Sequence, residues 1–498
     1  MQNENQLIKL RKEKLQKLID KGINPYPNKV KRTHYIKYLW ENKDDLLESD
    51  DKVTIAGRII AFRRQGKIAF LNLEDQTGKI QIFVRRDTLG KDEYDVFKLF
   101  DKGDFAQFYG DLFVTRTGEY SLRAHECKLL SKNVKPTPTV KEKVKDGKKI
   151  RYDEFSDIEL RYRKRYLDLL LNPEKKNVFE KRAEIMRVIR SVLENRGFLE
   201  VETPILQPLY GGANARPFKT HHNTLDIDLY LRIATELYLK RLIIGGYERV
   251  YEIGKNFRNE GMDRNHNPEF TAIEVYQAYA DYNDMMDLTE SIFSEISQSL
   301  YNSNQIEYQG DKINLERPWK RASMLDLIKE YTDFDASDFD KEKIKEFLDD
   351  KEIEYDENDG PGKLITIIFD NFVEDKLIQP TFVTDFPKEV SPLAKSKPGN
   401  PKLVERFEAF IAGDEFGNAF TELNDPIDQR NRLEDQAKLR ELGDLEANVV
   451  DEDFLEALEY GMPPTGGLGL GIDRMVMLFT DNTSIKEIIL FPQMRPEK

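Results

Sequence analysis

Residues Tyr247–Tyr279 read YERVYEIGKNFRNEGMDRNHNPEFTAIEVYQAY. The segment alternates on either side of a charged turn, which predicts two strands joined by a loop. Side chains two apart on a strand face the same way. Arg258 and Glu260 therefore share one parity in the first strand. Phe270, Glu274 and Tyr276 share one in the second, with Thr271, Ile273 and Val275 on the other side. An arginine, two glutamates, a phenol and a flat ring can thus line one floor, and the loop GMDRNHNP adds Asp263, Arg264 and His266. A core hairpin places Leu or Val at inward positions, so polar residues there need a purpose. A surface hairpin with one wet face is the plain alternative.

Working outward, 498 residues are enough for two or three domains. From Lys52 to about Leu130 the pattern has period two, with five candidate strands and glycine-bearing turns at Gly66, Gly78, Gly110 and Gly118. A longer, helical interruption (DTLGKDEYDVFKLFDKG) separates the third strand from the fourth, and the whole fits a five-stranded OB β-barrel over residues 51–132. Residues 1–50 form a helical extension in which Leu7–Ile19 carry apolar positions at helical spacing. The lysine- and proline-bearing stretch SKNVKPTPTVKEKVKDGKK marks a linker over 133–160. Residues 161–498 mix long helices with alternating strands and lack regular βαβ repeats. They predict an α+β domain, an antiparallel sheet flanked by helices, with an acidic helical insertion at about 325–360. Neither GxxxxGK[ST] nor GxGxxG occurs.

The net charge of −14 opposes bulk attraction to nucleic acid, so an RNA substrate would need clustered cations. Such clusters occur in KLRKEKLQK, KVKRTHYIK and Lys141–Tyr152, while Asp333–Asp359 carries compensating acid. The first residues lack the apolar core of a signal peptide, and no run approaches the ~18 apolar residues of a membrane span. The single cysteine, Cys127, excludes an internal disulfide and suits a reducing compartment; a cytoplasmic protein without membrane association is expected. Five histidines without HExxH spacing argue against zinc.

A second hairpin is readable in ERFEAFIAGDEFGNAFTELNDP, Glu405–Pro426, with its turn signal at Gly413-Asp414. Glu408 on one arm can converge with Glu415 on the other, and Asn418, Phe420 and Glu422 share a face.

FRNEG, then HNPEF, then Glu274-Val275-Tyr276 resemble motif 2 of class II aminoacyl-tRNA synthetases, in the form carried by lysyl-tRNA synthetases of bacterial type. GGLGLGIDRMVMLF, Gly466–Phe479, resembles motif 3, and VFEKRAEIMRVIRSVLENRGFLEVETPIL resembles motif 1. All three stand in the family's order, and the likeness covers almost the whole chain. The resemblance implies a ligase that activates lysine with Mg-ATP and transfers it to tRNA(Lys). It implies that Arg258 holds the α-phosphate and carboxylate, and that Arg474 holds the γ-phosphate with His266 assisting. Phe270 would stack on adenine against Arg474, with Glu260 and Asn267 completing the ATP contacts. Glu408 and Glu415 would bind Mg²⁺. For lysine, the resemblance implies Glu236, Glu422 and the Tyr276 hydroxyl at the ε-ammonium and Phe420 along the stem. It implies Glu274, Asn418 and the Gly212 backbone at the α-amino end. In the barrel it implies anticodon reading by Phe70, Gln81 and Glu119, with a uridine-rich target. A homodimer follows from motif 1, which packs across a two-fold axis in this family.

Two positions depart from the pattern. Asn265 precedes His266 where many members carry a basic residue, so Arg264 is left without a role, and Thr235 occupies a place often held by proline. Two alternatives stay open. A lysyl transferase acting on a protein is disfavoured by the barrel, which such relatives lack. A non-catalytic RNA-binding paralogue is disfavoured by the retained Arg258, Glu408, Glu415 and Arg474.

Overall fold

The five alternating runs close into a barrel in a computed structural model that describes residues 2–49, 51–138, 141–145, 148–152, 155, 157–441 and 449–497. Around the barrel the strands run Val53–Gln65, Ile68–Asp75, Gly78–Arg85, Tyr120–Ser131 and Phe105–Val114, which returns to the first. One parity of each strand fills the interior, as with Ile55, Leu71, Ile82, Phe108 and Leu122. The interruption folds as the short helices Arg86–Leu89 and Lys91–Phe97. Gly110 lies inside a strand and not at the expected turn; a Cβ there would sit 1.8 Å from the Arg123 carbonyl oxygen, so close backbone approach requires the glycine.

The chain divides into two compact units, Met1–Ser156 and Asp157–Lys498. Helices Gln2–Asp20, Ile36–Glu41 and Lys43–Glu48 belong to the first. Their Leu18, Ile36, Leu39 and Leu46 join the barrel's own core, so the extension is continuous with the barrel and not a separate layer. Within the expected linker, Lys141–Lys145 and Lys148–Tyr152 pair as an antiparallel hairpin; residues 139–140, 146–147, 153–154 and 156 of that stretch lie outside the described residues.

The second unit is built on an eight-stranded sheet. Its order is Lys320–Ser323, Thr381–Thr384, Arg406–Ile411, Asp414–Thr421, Thr465–Gly471, Glu269–Ala278, Arg249–Phe257 and Leu199–Glu200. Pairing is antiparallel across the six central strands and parallel at both edges. Helices Lys176–Asn195, Tyr282–Tyr301 and Ile472–Thr480 cover one face, packing Ile189, Phe293 and Met475 onto Ile273, Val275, Phe407, Ala419 and Leu468. Because side chains alternate, the opposite parity of those same strands is left for a pocket. The acidic segment folds as helices Met324–Thr332 and Lys341–Asp350 and continues past 360 into Pro361–Phe372. Ile328, Ile344, Leu348, Leu364 and Ile368 form a small core of their own against Val383 and Phe410 of the sheet. Among the described residues, no helix is long and apolar enough to cross a membrane.

Candidate active site

The uncovered face of the sheet carries a cavity of about 480 Å³. Every residue that the motifs point to for nucleotide, metal and amino acid lines it: Gly212, Glu236, Arg258, Glu260, His266, Asn267, Phe270, Glu274, Tyr276, Glu408, Glu415, Asn418, Phe420, Glu422 and Arg474. Phe270 and Tyr276 stand at the two ends of strand Glu269–Ala278, six residues or ~20 Å apart at 3.3 Å per residue, so the pocket has two ends.

At the Phe270 end, Arg258 follows directly on a strand that stops at Phe257; it and Glu260 are loop residues and not the strand residues expected. The Arg258 backbone N–H donates to the Pro268 carbonyl at 2.9 Å. Its guanidinium lies 5.1 Å from the Phe270 ring centroid, and its Nε is buried without a hydrogen-bond partner, a donor available to an anion. Arg474, in the first turn of Ile472–Thr480, donates to the Glu415 backbone oxygen and lies 3.5 Å from Glu415 Oε2. His266 is exposed and pairs with Asp263 at 2.8 Å. Asn267 is buried, donating to the Glu269 carbonyl at 2.6 Å and accepting from the Gln493 N–H at 3.3 Å. Asn265 donates to Asp414 at 3.1 Å, and Arg264 to Gln309 at 3.2 Å.

The second hairpin turns at Ala412 and Gly413, both with positive φ (53° and 77°), one residue earlier than the Gly413-Asp414 reading. A bulge at Ala409/Phe410 brings Glu408 and Glu415 to the same pocket. Arg406 pairs with Glu408 at 2.6 Å and also donates to Asn418 at 3.1 Å. Burial, and then the neighbouring Glu415, push the Glu408 carboxyl up to about 8. Two carboxylates that crowd each other in this way suit a hard divalent cation, which takes one or two carboxylates together with phosphate oxygens. Among the described residues, no group of three or more His, Cys, Asp or Glu is placed to hold a metal by itself.

At the Tyr276 end, Glu236 opens helix Glu236–Ile244 and Glu422 follows strand Asp414–Thr421. Both are buried. Between them stands Lys240, fully buried, its Nζ 2.5 Å from Glu236 Oε1 and 2.5 Å from Glu422 Oε2. The other Glu422 oxygen, Oε1, is buried without a hydrogen-bond donor. A Cβ at Gly467 would come 1.8 Å from Glu422 Oε1 and 2.7 Å from the Tyr276 ring; the glycine makes room for this acid. Glu274 accepts from the Thr235 backbone N–H at 3.0 Å and from the Tyr276 hydroxyl at 3.4 Å. Burial raises the Glu274 carboxyl to about 7, and burial with the surrounding acids raises the Tyr276 phenol well above its ordinary value.

Sequence reasoning passed over three charged residues here. Lys240 was detectable as the i,i+4 partner of Glu236 on a predicted helix, and Arg406 as the same-face neighbour of Glu408. Asp473 accepts from the Thr271 N–H at 2.7 Å and pairs with Arg182 at 2.6 Å, tying together the segments that resemble motifs 1, 2 and 3.

In the barrel, Phe70 is on the outward face, 36% exposed, with Phe83 at 5.1 Å and Phe113 5.6 Å beyond it. Gln81 accepts from the Ser121 hydroxyl at 2.9 Å on the same side, and Glu119 is exposed in the turn after Thr115. An outward aromatic row with polar neighbours can stack unpaired bases.

The family model for class II tRNA synthetases (D, K and N) matches residues 157–495, and that for the OB-fold nucleic acid binding domain matches 53–130. The chain belongs to the class II tRNA synthetases. It is 50% identical to the lysine–tRNA ligase of Pelotomaculum thermopropionicum over 99% of this chain and 96% of that one. It is 51% identical to that of Thermoanaerobacter pseudethanolicus, over 99% and 97%, and 50% identical to that of Carboxydothermus hydrogenoformans, over 99% and 98%.

Proposed function

We infer that this chain is a lysine–tRNA ligase: it activates L-lysine with ATP and transfers the lysyl group to the 3′ end of tRNA(Lys). The observation that carries the choice of amino acid is the convergence of Glu236, Glu422 and Tyr276 at one end of a pocket whose other end presents Arg258 and Arg474. A long apolar stem tipped by an ammonium fits between them, with Phe420 along the stem. Glu274, Asn418 and the Gly212 backbone take the α-amino group.

Activation joins the lysine carboxylate to the α-phosphorus of ATP and expels pyrophosphate. Charge builds on phosphate oxygens, so the protein supplies position and fixed cations and no strong base. Arg258 bridges carboxylate and α-phosphate, and Arg474, with His266, holds the outer phosphates. Phe270 gives adenine a flat surface, and Glu260 and Asn267 hold the rim of the nucleotide site. Glu408 and Glu415 would hold Mg²⁺, which when bound neutralises phosphate charge. In the second half-reaction a ribose hydroxyl of the terminal adenosine attacks the activated carbonyl and releases AMP. Phe70, Gln81 and Glu119 meet the anticodon. A homodimer is supported by the exposed apolar side chains Leu199, Ile205, Leu206 and Leu209, which follow helix Lys176–Asn195. The work of such an enzyme lies in the cytoplasm, where charged tRNA is used.

Lysine-dependent exchange of labelled pyrophosphate into ATP tests this directly, with arginine and ornithine run beside lysine. Exchange with lysine followed by charging of purified tRNA(Lys) is the expected result. Exchange without charging would favour a protein acceptor, and no exchange would remove the enzyme reading.

A further inference from the structure

Two buried carboxylates facing one site rarely stay ionised together, because each raises the other's proton affinity. A shared proton would make the pair a poor judge of charge, since a protonated carboxyl accepts an alcohol or amide as readily as an ammonium. At the Tyr276 end the pair is Glu236 and Glu422, and the chain itself places an ammonium between them. Lys240 Nζ is 2.5 Å from an oxygen of each, and its side chain is wholly buried. It is held there by Phe420 and Phe454, whose ring centroids are 5.8 Å and 5.9 Å away. Lys240 takes one oxygen of each glutamate and leaves Glu422 Oε1 without a donor.

We propose that Lys240 is a specificity-determining positioning residue: a resident counter-cation that keeps Glu236 and Glu422 both ionised, so that the pocket accepts a second cation and rejects uncharged side chains of the same shape. The other titratable groups facing the pair are Glu274 and Tyr276 on strand Glu269–Ala278, with Arg232 acting on Glu274. The neighbouring strand contributes only Gly467, and helix Glu452–Glu459 contributes Phe454. No other cation stands in contact with either glutamate among the described residues. Burial, with Glu236 and Glu274 beside it, pushes the Glu422 carboxyl well above its usual range, and the Lys240 ammonium is the strongest influence pulling it back down. Burial also works against that ammonium, but the two glutamates outweigh it and hold its pKa above the ordinary value.

The inference rests on reading Glu236 and Glu422 as ligands of the substrate ammonium. The test uses the full-length protein. In the parent, calorimetry of lysine binding at about pH 8, repeated in buffers of different ionisation enthalpy, counts protons released. At that pH Glu274 is largely ionised, so a pair kept ionised by Lys240 releases close to none. Release of about one proton would overturn the proposal, and this count needs no variant to fold. For Lys240→Met, the ratio of its lysine KM to the parent's should fall as pH rises, by up to ~10-fold per unit, as the pair gives up its shared proton. The preference for lysine over norleucine should shrink, and Lys240→Arg should restore both. A KM ratio that is constant with pH would overturn the proposal and leave Lys240 a structural residue. If Glu236→Gln leaves the lysine KM unchanged, the ligand reading itself falls, an outcome separate from either of those.

Discussion

The two ends of the pocket each hold a pair of glutamates beside a basic residue, and they handle the charge in different ways. At the amine end Glu236 and Glu422 share one wholly buried lysine, and Glu422 is itself sealed from solvent. At the phosphate end Glu408 and Glu415 keep 16% and 36% of their side-chain surface, and each has its own arginine, Arg406 and Arg474. The first pair is finished by the fold and offers a fixed field to a small ligand. The second is less sealed, and one of its arginines, Arg474, is also the residue proposed to hold the outer phosphates. On the proposed reading, recognition of the amino acid is built into the core, and the nucleotide site is completed by what it binds.

That contrast predicts that the two ends fail separately. The largest effect is expected from Arg258→Ala, which removes the cation proposed to face the α-phosphate: pyrophosphate exchange should fall by ~10³-fold in kcat, with lysine KM within a few-fold of the parent. A comparable loss in KM would show the two ends to be one unit. Glu422→Gln should show the reverse signature. Lysine KM should rise by ~10²-fold, because one partner of a buried charge set is gone, with a smaller change in kcat. An unchanged KM would remove Glu422 from the amine site.

The barrel extends the comparison to the other compact unit. Phe70→Ala removes an outward ring that stands beside Phe83. Base stacking on an aromatic is worth ~1–3 kcal/mol, so tRNA charging should lose ~10-fold or more in kcat/KM, with pyrophosphate exchange untouched. A loss in exchange as well would mean that Phe70 supports the protein's fold and not its tRNA contact.

The sequence revealed the pocket where its chemistry is carried by short segments read at period two. Glu274 and Tyr276, or Asn418, Phe420 and Glu422, follow from parity once a strand is recognised. Arg258 and Glu260 were placed on the strand as well, but it ends at Phe257, short of both, and strand ends are fixed by hydrogen-bonding partners that a sequence does not name. Parity left the face of Phe70 open, because an aromatic suits either side of a small barrel; closure of the five strands turned it outward. Lys240 was passed over for a different reason. A lysine four residues after a glutamate reads as a solvated helix pair, and only the strands packed over Glu236–Ile244 turn that pair into part of the core. The short helices of the first fifty residues read as an extension because Leu18, Ile36 and Leu39 are too sparse to announce that they finish the barrel's core.

The smallest effect separates Glu274 from its neighbours. Unlike Glu236 and Glu422, it has no cation in contact among the described residues; it accepts from the Thr235 N–H and the Tyr276 hydroxyl. Its carboxyl stands at about 7, raised from 4.5 chiefly by burial. Between those values the folded chain holds a proton that the unfolded chain has released, so νU − νN is negative and stability falls as pH rises. The contribution is fully present below about 4.5 and is lost as pH passes through about 7. Glu274→Gln, which stays neutral and keeps the acceptor for Thr235, should flatten that part of the profile. The gap between the thermal midpoints of variant and parent should then widen by about 2 °C from pH 5 to pH 8. Parallel profiles would mean that Glu274 holds no extra proton in the folded chain over that range, and the distinction within the amine end would disappear.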